Sequence, residues 1–377
     1  MKKNLVISSV GDISFSTGLE GHDYNFNSWI SNDVNNYLKS DIQIGNLECV
    51  FYPKGERRPI EFNLSEEDSS SEALVNSGFN VLSLANNHIC DYFGYKGIEH
   101  TIKILEKNKI KHCGAGANIY EAKRPAILES QGMKIGIFGR VHEESFHNIT
   151  KDIATENSPG AAPLCVDEII KSAKTAKLEY ELDLIILSVH WGIQDIHNHT
   201  LQIERIANKL LNDSDLDIIL GSHSHCIQGI KSKENKAICF GQGNFYFYPQ
   251  IMEDGVLYDS GHDINRTSMI TKFTIETDTK KLKLDARVVK QNNENIIVFQ
   301  DSRKEKKILS KVFGKWKKYN KFSIYFEYRF RAISLDINKL KLVLTNPIVR
   351  NRFKVLLRNP KALFQKVWMT FITSKFR

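Results

Sequence analysis

Short apolar runs punctuate this chain, and they end on the same kinds of residue. LVISSVGD ends in Asp12, IQIGNLE in Glu48, NVLSLANNH in Asn87 and His88, LIILSVHWG in His190, and LDIILGSHSH in His223 and His225. Each run is brief and rich in Leu or β-branched residues, which predicts a strand buried on both faces. Between them, SWISNDVNNYLKS, YKGIEHTIKILEKNK, VDEIIKSAKTAKLEYE and HTLQIERIANKLLND space their apolar residues at three and four, predicting helices. Strand and helix alternate in this way from Leu5 to about Phe245, the pattern of a layered α/β domain. MITKFTIETD and KLKLDARVVKQ then alternate at period two around 278–280, which predicts an antiparallel hairpin completing a sheet of the same domain. GAGAN at 114–118 reads as a turn, and the polar stretches 65–72 and 152–160 read as surface loops.

In open α/β sheets function collects at the carboxyl ends of the strands, so these five endings form one candidate site. Asp12, Glu48, Asn87, His190, His223 and His225 combine carboxylate, amide oxygen and imidazole. That mixture suits one or two ions of zinc, manganese or iron better than calcium or magnesium, which favour oxygen alone. Two ions bridged by a carboxylate would lower the pKa of a bound water and clamp a phosphoryl or carbonyl oxygen, giving hydrolysis at neutral pH. His88, beside Asn87, is then the candidate general acid for the leaving group. Asn86, Asp91, Gln194 and Asn244 are the candidates for residues that support these ligands. A Ser/His/Asp elbow and a Walker glycine loop are both absent from the sequence, which removes the main competing chemistries.

Charge changes the picture at the C-terminus. The net charge is +8, yet residues 301–377 hold 21 Lys and Arg against 4 Asp and Glu, while residues 1–300 hold 31 against 40. The sequence therefore divides into an acidic body, 1–300, and a basic, mostly helical appendage, 301–377. Asn346-Pro347 and Asn359-Pro360 each place a capping residue before a proline suited to a first helical turn. After the second pair, Leu363, Phe364, Val367, Trp368 and Phe371 share one helix face, with Lys361, Lys366, Lys375 and Arg377 around it. An interfacial helix has this composition, and so does a helix docked on the body through its apolar stripe; 346–377 is accordingly the candidate for contact with an anionic membrane. The appendage lacks a nucleic-acid docking module and the body is acidic, which argues against nucleic acid as a partner.

The apolar stretch 5–10 is too short for a signal-peptide core or a membrane span, and no other run is long enough to cross a bilayer. Six cysteines without tight spacing do not make a disulfide framework, and Cys49, Cys90 and Cys226 read as small apolar fillers beside the site residues. These features lead to the expectation of a soluble, cytoplasmic protein, peripheral on the inner face of the membrane.

The motifs also resemble the CapA family of capsule-synthesis and poly-γ-glutamate synthesis proteins, which is similar in turn to the calcineurin-like metallophosphoesterases. Carrying the resemblance are GD at 11–12, NLE at 46–48, SLANNH at 83–88, GAG at 114–116 with Ala122 and Pro125, VHWG at 189–192, GSHSH at 221–225 and GNFYF at 243–247. It implies an α/β/β/α sandwich of the metallo-dependent phosphatase type. It further implies that Asp12 binds one metal, Glu48 bridges where phosphoesterases use Asp, Asn87 and His190 bind the second, and His223 and His225 complete the pair. Ser14 stands where phosphoesterases carry a first-motif histidine, and Gln194 where the CapA pattern tends to have Glu. The function implied is metal-dependent hydrolysis of an anionic envelope polymer or its phosphorylated precursor. The alternative is a non-catalytic assembly or transport subunit of a capsule or poly-γ-glutamate synthesis complex.

If the appendage is a membrane contact, full-length protein should float with anionic liposomes and a truncation at Asp301 should not. Equal flotation of the two forms would eliminate that role.

Overall fold

The computed structural model of the chain describes residues 3–17, 26–56, 64–92, 94–145, 152–251, 257–258 and 265–314. Two sheets lie at its centre. The first comprises β1 (Asn4–Ser14), β2 (Ile42–Leu47), β5 (Val81–Ser83), β6 (Lys111–Cys113), β15 (Asn244–Phe247), β18 (Thr267–Glu276), β19 (Leu282–Gln291) and β20 (Ile297–Phe299). Its order is β20-β19-β18-β1-β2-β5-β6, with β15 also pairing β1. The second comprises β8 (Ala126–Ser130), β9 (Met133–Val141), β11 (Leu184–His190), β12 (Ile218–Ser222), β13 (Ile230–Lys233) and β14 (Lys236–Cys239), in the order β13-β14-β12-β11-β9-β8. Three ribbons complete the strands: β3 (Val50–Tyr52) with β4 (Ser65–Glu67), β7 (Ala115–Gly116) with β10 (Gly160–Ala161), and β16 (Gln250–Ile251) with β17 (Leu257–Tyr258).

The apolar patterning explains the layering. Leu5, Ile7, Ile44 and Val81 of the first sheet meet Ile135, Ile186 and Ile218 of the second in one buried cluster between the sheets. A second cluster covers the outer face of the first sheet, where Val34, Leu74 and Ile98 come from the helices Asn32–Leu38, Ser71–Asn76 and Tyr95–Lys107. A third covers the outer face of the second sheet with Ile169, Ala173, Ile203 and Leu210 from the helices Val166–Glu179 and Leu201–Asp213. Four layers result, helix on sheet on sheet on helix, as the runs and the family resemblance imply. Strands buried on both faces need apolar residues at successive positions, which is why their sequences read as continuous runs. Thr200 starts the helix Leu201–Asp213 by accepting a hydrogen bond at its Oγ1 from the Ile203 N–H, 3.1 Å away. The hairpin expected after residue 267 is β18 and β19, antiparallel neighbours.

The stretch 65–72, expected as a surface loop, instead forms β4 and leads into a helix, with Ser65 and Glu66 buried. A polar residue tolerates burial when it is bonded, and the Glu66 carboxylate accepts hydrogen bonds from the Thr17 N–H (3.1 Å) and hydroxyl (3.4 Å). The basic region begins with the helix Ser302–Val312, which packs on the sandwich edge by burying Val312 beside Ile308 and Leu309. Glu305 anchors it, accepting from Arg287 Nε at 2.6 Å and the Val288 N–H at 3.0 Å. The amphipathic helix expected over 346–377 lies outside the described residues. Among the described residues no helix is long and apolar enough to cross a membrane.

One close approach fixes the mouth of the first sheet. β1 carries a bulge around Asp12, and β15 joins it there with Asn244 in register with Asp12. Bulges commonly re-aim a side chain next to a functional site. The two chains come so near that a Cβ on Gly11 would sit 2.0 Å from the Gly243 carbonyl oxygen. Gly11→Ala should therefore push β15 away from β1 and destabilise the fold by about 1–3 kcal/mol. A lowered denaturant midpoint would show this, and an unchanged midpoint would contradict it.

Candidate metal centre

Five strand ends deliver the site. Asp12 stands on β1, Glu48 directly follows β2, Asn87 and His88 lie in the turn after β5, His190 closes β11, and His223 and His225 follow β12. His223 and His225 both have left-handed backbone, with φ of 82° and 52°. Non-glycine residues rarely adopt this conformation and tend to do so at functional sites, and here it folds the segment sharply enough for both rings to face inward. The His223 N–H donates to Asp12 Oδ2 at 3.1 Å, tying the turn to the first sheet.

The side chains form two groups that share one residue. Ligand atoms of Glu48, His190 and His223 lie within 4.8 Å of one another, and so do those of Asp12, Glu48 and His225. Asn87 adds an oxygen to the first group, its Oδ1 being 2.7 Å from His190 Nε2. In the same group His223 Nδ1 is 2.9 Å from His190 Nε2, and Glu48 Oε1 is 3.6 Å from it. In the second, His225 places Nδ1 3.7 Å from Asp12 Oδ2 and Nε2 3.9 Å from Glu48 Oε1. His88 stands at the rim, 15% exposed, with Nε2 4.0 Å from Glu48 Oε1. Its Nδ1 is 2.7 Å from Asp91 Oδ2, and Asp91 is held in turn by the Leu64 N–H at 2.6 Å.

Burial makes this cluster costly without a cation. Glu48 is fully buried, and among the described residues no donor hydrogen-bonds either of its carboxylate oxygens. Burial, followed by the adjacent Asp12 carboxyl, holds Glu48 well above the ordinary carboxylate range. Asp12 is raised as well, again by burial, which His225 and an Asn46 hydrogen bond offset only in part. His190 is held well below its usual value by burial and then by its neighbours His223, His225 and His88, so its imidazole is neutral at pH 7. The neutral His190 imidazole, two further imidazoles, the Asp12 carboxyl and a Glu48 carboxyl whose oxygens have no donor among the described residues are a donor set that fits divalent transition metals.

Some supporting residues sit closer to the ligands than their motifs suggest. Asn46 donates through Nδ2 to Asp12 Oδ1 at 2.8 Å and approaches His190 Nδ1 at 3.4 Å. It precedes Glu48 by two, so strand periodicity already placed both on one face. Ser222 Oγ lies 3.0 Å from His190 Nδ1. Another run, MKIGIFGRVH, also ends in histidine, and the His142 N–H donates to the His190 carbonyl at 2.9 Å. Asn86 works through its backbone surroundings, donating to the Leu47 carbonyl at 2.8 Å and accepting from the His88 N–H at 3.0 Å. Asn244 Oδ1 lies 2.7 Å from His225 Nδ1. Gln194, half-buried in the segment after β11, forms none of these contacts. The Cys49 thiol is buried and pushed up to about 12, mainly by that burial, which suits an apolar filler.

A family model described as bacterial capsule synthesis protein PGA_cap matches residues 6–249, a span that includes every strand end of the site. The capsule biosynthesis protein CapA of Bacillus anthracis is 30% identical over 261 residues, covering 65% of this chain and 60% of that protein. The PGA biosynthesis protein CapA of Bacillus subtilis (strain 168) is 30% identical over 216 residues, covering 56% of this chain and 54% of that protein. The chain thus spans between half and two thirds of the length of these relatives. Among solved structures, the NAD nucleotidase of Haemophilus influenzae aligns with a TM-score of 0.41 and 13% identity over 88% of this chain and 60% of that one.

With its pKa raised well above the ordinary 4.5, Glu48 holds its proton to higher pH in the folded protein than in an unfolded chain. A cation must displace that proton, so metal affinity should rise with pH, and binding of Mn or Zn on the acid side of the Glu48 titration should release a proton. Calorimetry in buffers of differing ionisation enthalpy tests this. Heats independent of the buffer would contradict it.

Proposed function

The chain belongs to the PGA_cap family of bacterial capsule synthesis proteins, and from that membership together with the pocket we propose a metal-dependent hydrolase serving capsule or poly-γ-glutamate synthesis. Its substrate is an anionic extracellular polymer or the phosphorylated precursor of one. The observation that carries this reading is Glu48, a buried carboxylate common to both ligand groups that has no donor on either oxygen among the described residues. Glu48, His190, His223 and Asn87 would hold one ion of manganese, zinc or iron, and Asp12, Glu48 and His225 a second. Such ions supply Lewis acidity and an activated water at neutral pH.

The remaining roles belong to the chain itself. Asp12 and Glu48 bring negative charge where imidazoles alone would leave the ions poorly neutralised. Burial around His190, 1% exposed, excludes bulk water from the rear of the pocket and strengthens electrostatic contacts within it. His88 occupies the open side. With Asp91 on its Nδ1, its Nε2 is turned toward the cluster and can deliver a proton to a departing oxygen. The complex of capsule-synthesis subunits and the anionic membrane are the partners proposed for this protein, the latter through 346–377.

His88→Ala, at unchanged metal content, should reduce hydrolysis of a chromogenic phosphoester by about 10²- to 10⁴-fold, the usual worth of a general acid. Polymer output in a deletion strain complemented with this variant should fall in parallel. Undiminished output from folded His88→Ala protein would instead establish a non-catalytic assembly subunit.

A further inference from the structure

β15 is peripheral to the order of the first sheet, pairing β1 over a few residues only, yet it reaches the heart of the site. Its first residue, Asn244, is 2% exposed and stands in register with Asp12. Its side-chain oxygen lies 2.7 Å from His225 Nδ1. A carbonyl oxygen can only accept, so a neutral His225 that makes this bond carries its proton on Nδ1. The lone pair is then on Nε2, the nitrogen that faces Glu48 Oε1 across 3.9 Å. Phe247, three residues further along β15, meets the same imidazole edge-on, with ring centroids 5.4 Å apart and planes at 77°. One strand therefore constrains both the protonation pattern and the plane of a single ring.

We infer that Asn244 is a positioning residue which fixes the ring tautomer of His225 and so presents its Nε2 as a ligand atom. This rests on the metal-binding reading above and adds the source of the second group's geometry. The first group has Asn87 as an extra oxygen, whereas the second contains Asp12, Glu48 and His225. With three donors, the second site loses a third of its protein ligands if His225 offers the wrong nitrogen. Supporting hydrogen bonds of this kind are typically worth 10- to 100-fold in metal affinity.

Two measurements test the inference. In metal-free protein with ¹⁵N-labelled histidine at pH 8, two-bond ¹H–¹⁵N spectra should show His225 protonated at Nδ1, its signal being assigned by its loss in His225→Gln. Asn244→Leu should abolish that preference, and Asn244→Asp, which keeps an acceptor oxygen, should retain it. In Mn²⁺ titrations followed by calorimetry, Asn244→Leu should weaken one of the two bound ions by about 10- to 100-fold and leave the other unchanged, with Asn244→Asp near wild type. Asn244→Ala serves in place of Asn244→Leu should the latter fail to fold. A wild-type His225 protonated at Nε2, or an equal loss of both ions, would overturn the inference. Wild-type protein that binds no ion would refute the hydrolase reading instead, and the spectra of metal-free protein would still decide the role of Asn244.

Discussion

A carboxylate that is buried without hydrogen-bond donors among the described residues is the constraint around which this molecule is organised. Removing an ionised group from water costs several kcal/mol unless a partner of opposite charge compensates. The chain spends no lysine, arginine or backbone donor on Glu48 among the described residues, and it places a second acid, Asp12, beside it. Imidazoles from the opposite sheet surround the pair, and the same burial holds His190 well below its usual value. An arrangement whose burial disfavours the charged forms of Glu48, Asp12 and His190 alike is unfavourable as a core and suitable as a receptacle for positive charge. The bulge in β1, the left-handed turn after β12 and the contact of Gly11 with Gly243 all serve to bring it together.

Much of this was legible in the sequence because one physical rule links burial to pattern. Strands covered on both faces must be apolar throughout, so the runs ending at Asp12, Glu48, His190 and His223 stood out, as did the helices between them. Helix Leu201–Asp213 appears where the three-and-four spacing in HTLQIERIANKLLND put it. What the sequence could not convey was relation across space. Nothing local to NLE reveals that Asn46 bonds Asp12, thirty-four positions away. The run ending at His142 carried the same signature as the others, but a histidine that contributes its backbone N–H cannot be told from one that contributes its ring. Polar residues 65–72 looked exposed because burial of Glu66 depends on Thr17, a partner from a distant segment.

The family match and the pocket bear on different levels. Residues 6–249 place the chain among bacterial capsule synthesis proteins, while the atoms of the site suggest the kind of chemistry such a protein could perform. The basic helix Ser302–Val312 extends the folded body beyond that match, so composition alone did not mark where packing ends.

The two ligand groups draw on both sheets: Asp12, Glu48 and Asn87 from one, His190, His223 and His225 from the other. The distance between those halves is set by the aliphatic layer lying between the sheets, in which Ile44 and Val81 meet Ile186 and Ile218. These side chains work as a spacer of fixed thickness. Close packing makes that thickness resistant to compression, so the bite of the pocket is written in hydrocarbon residues that stand outside both ligand groups.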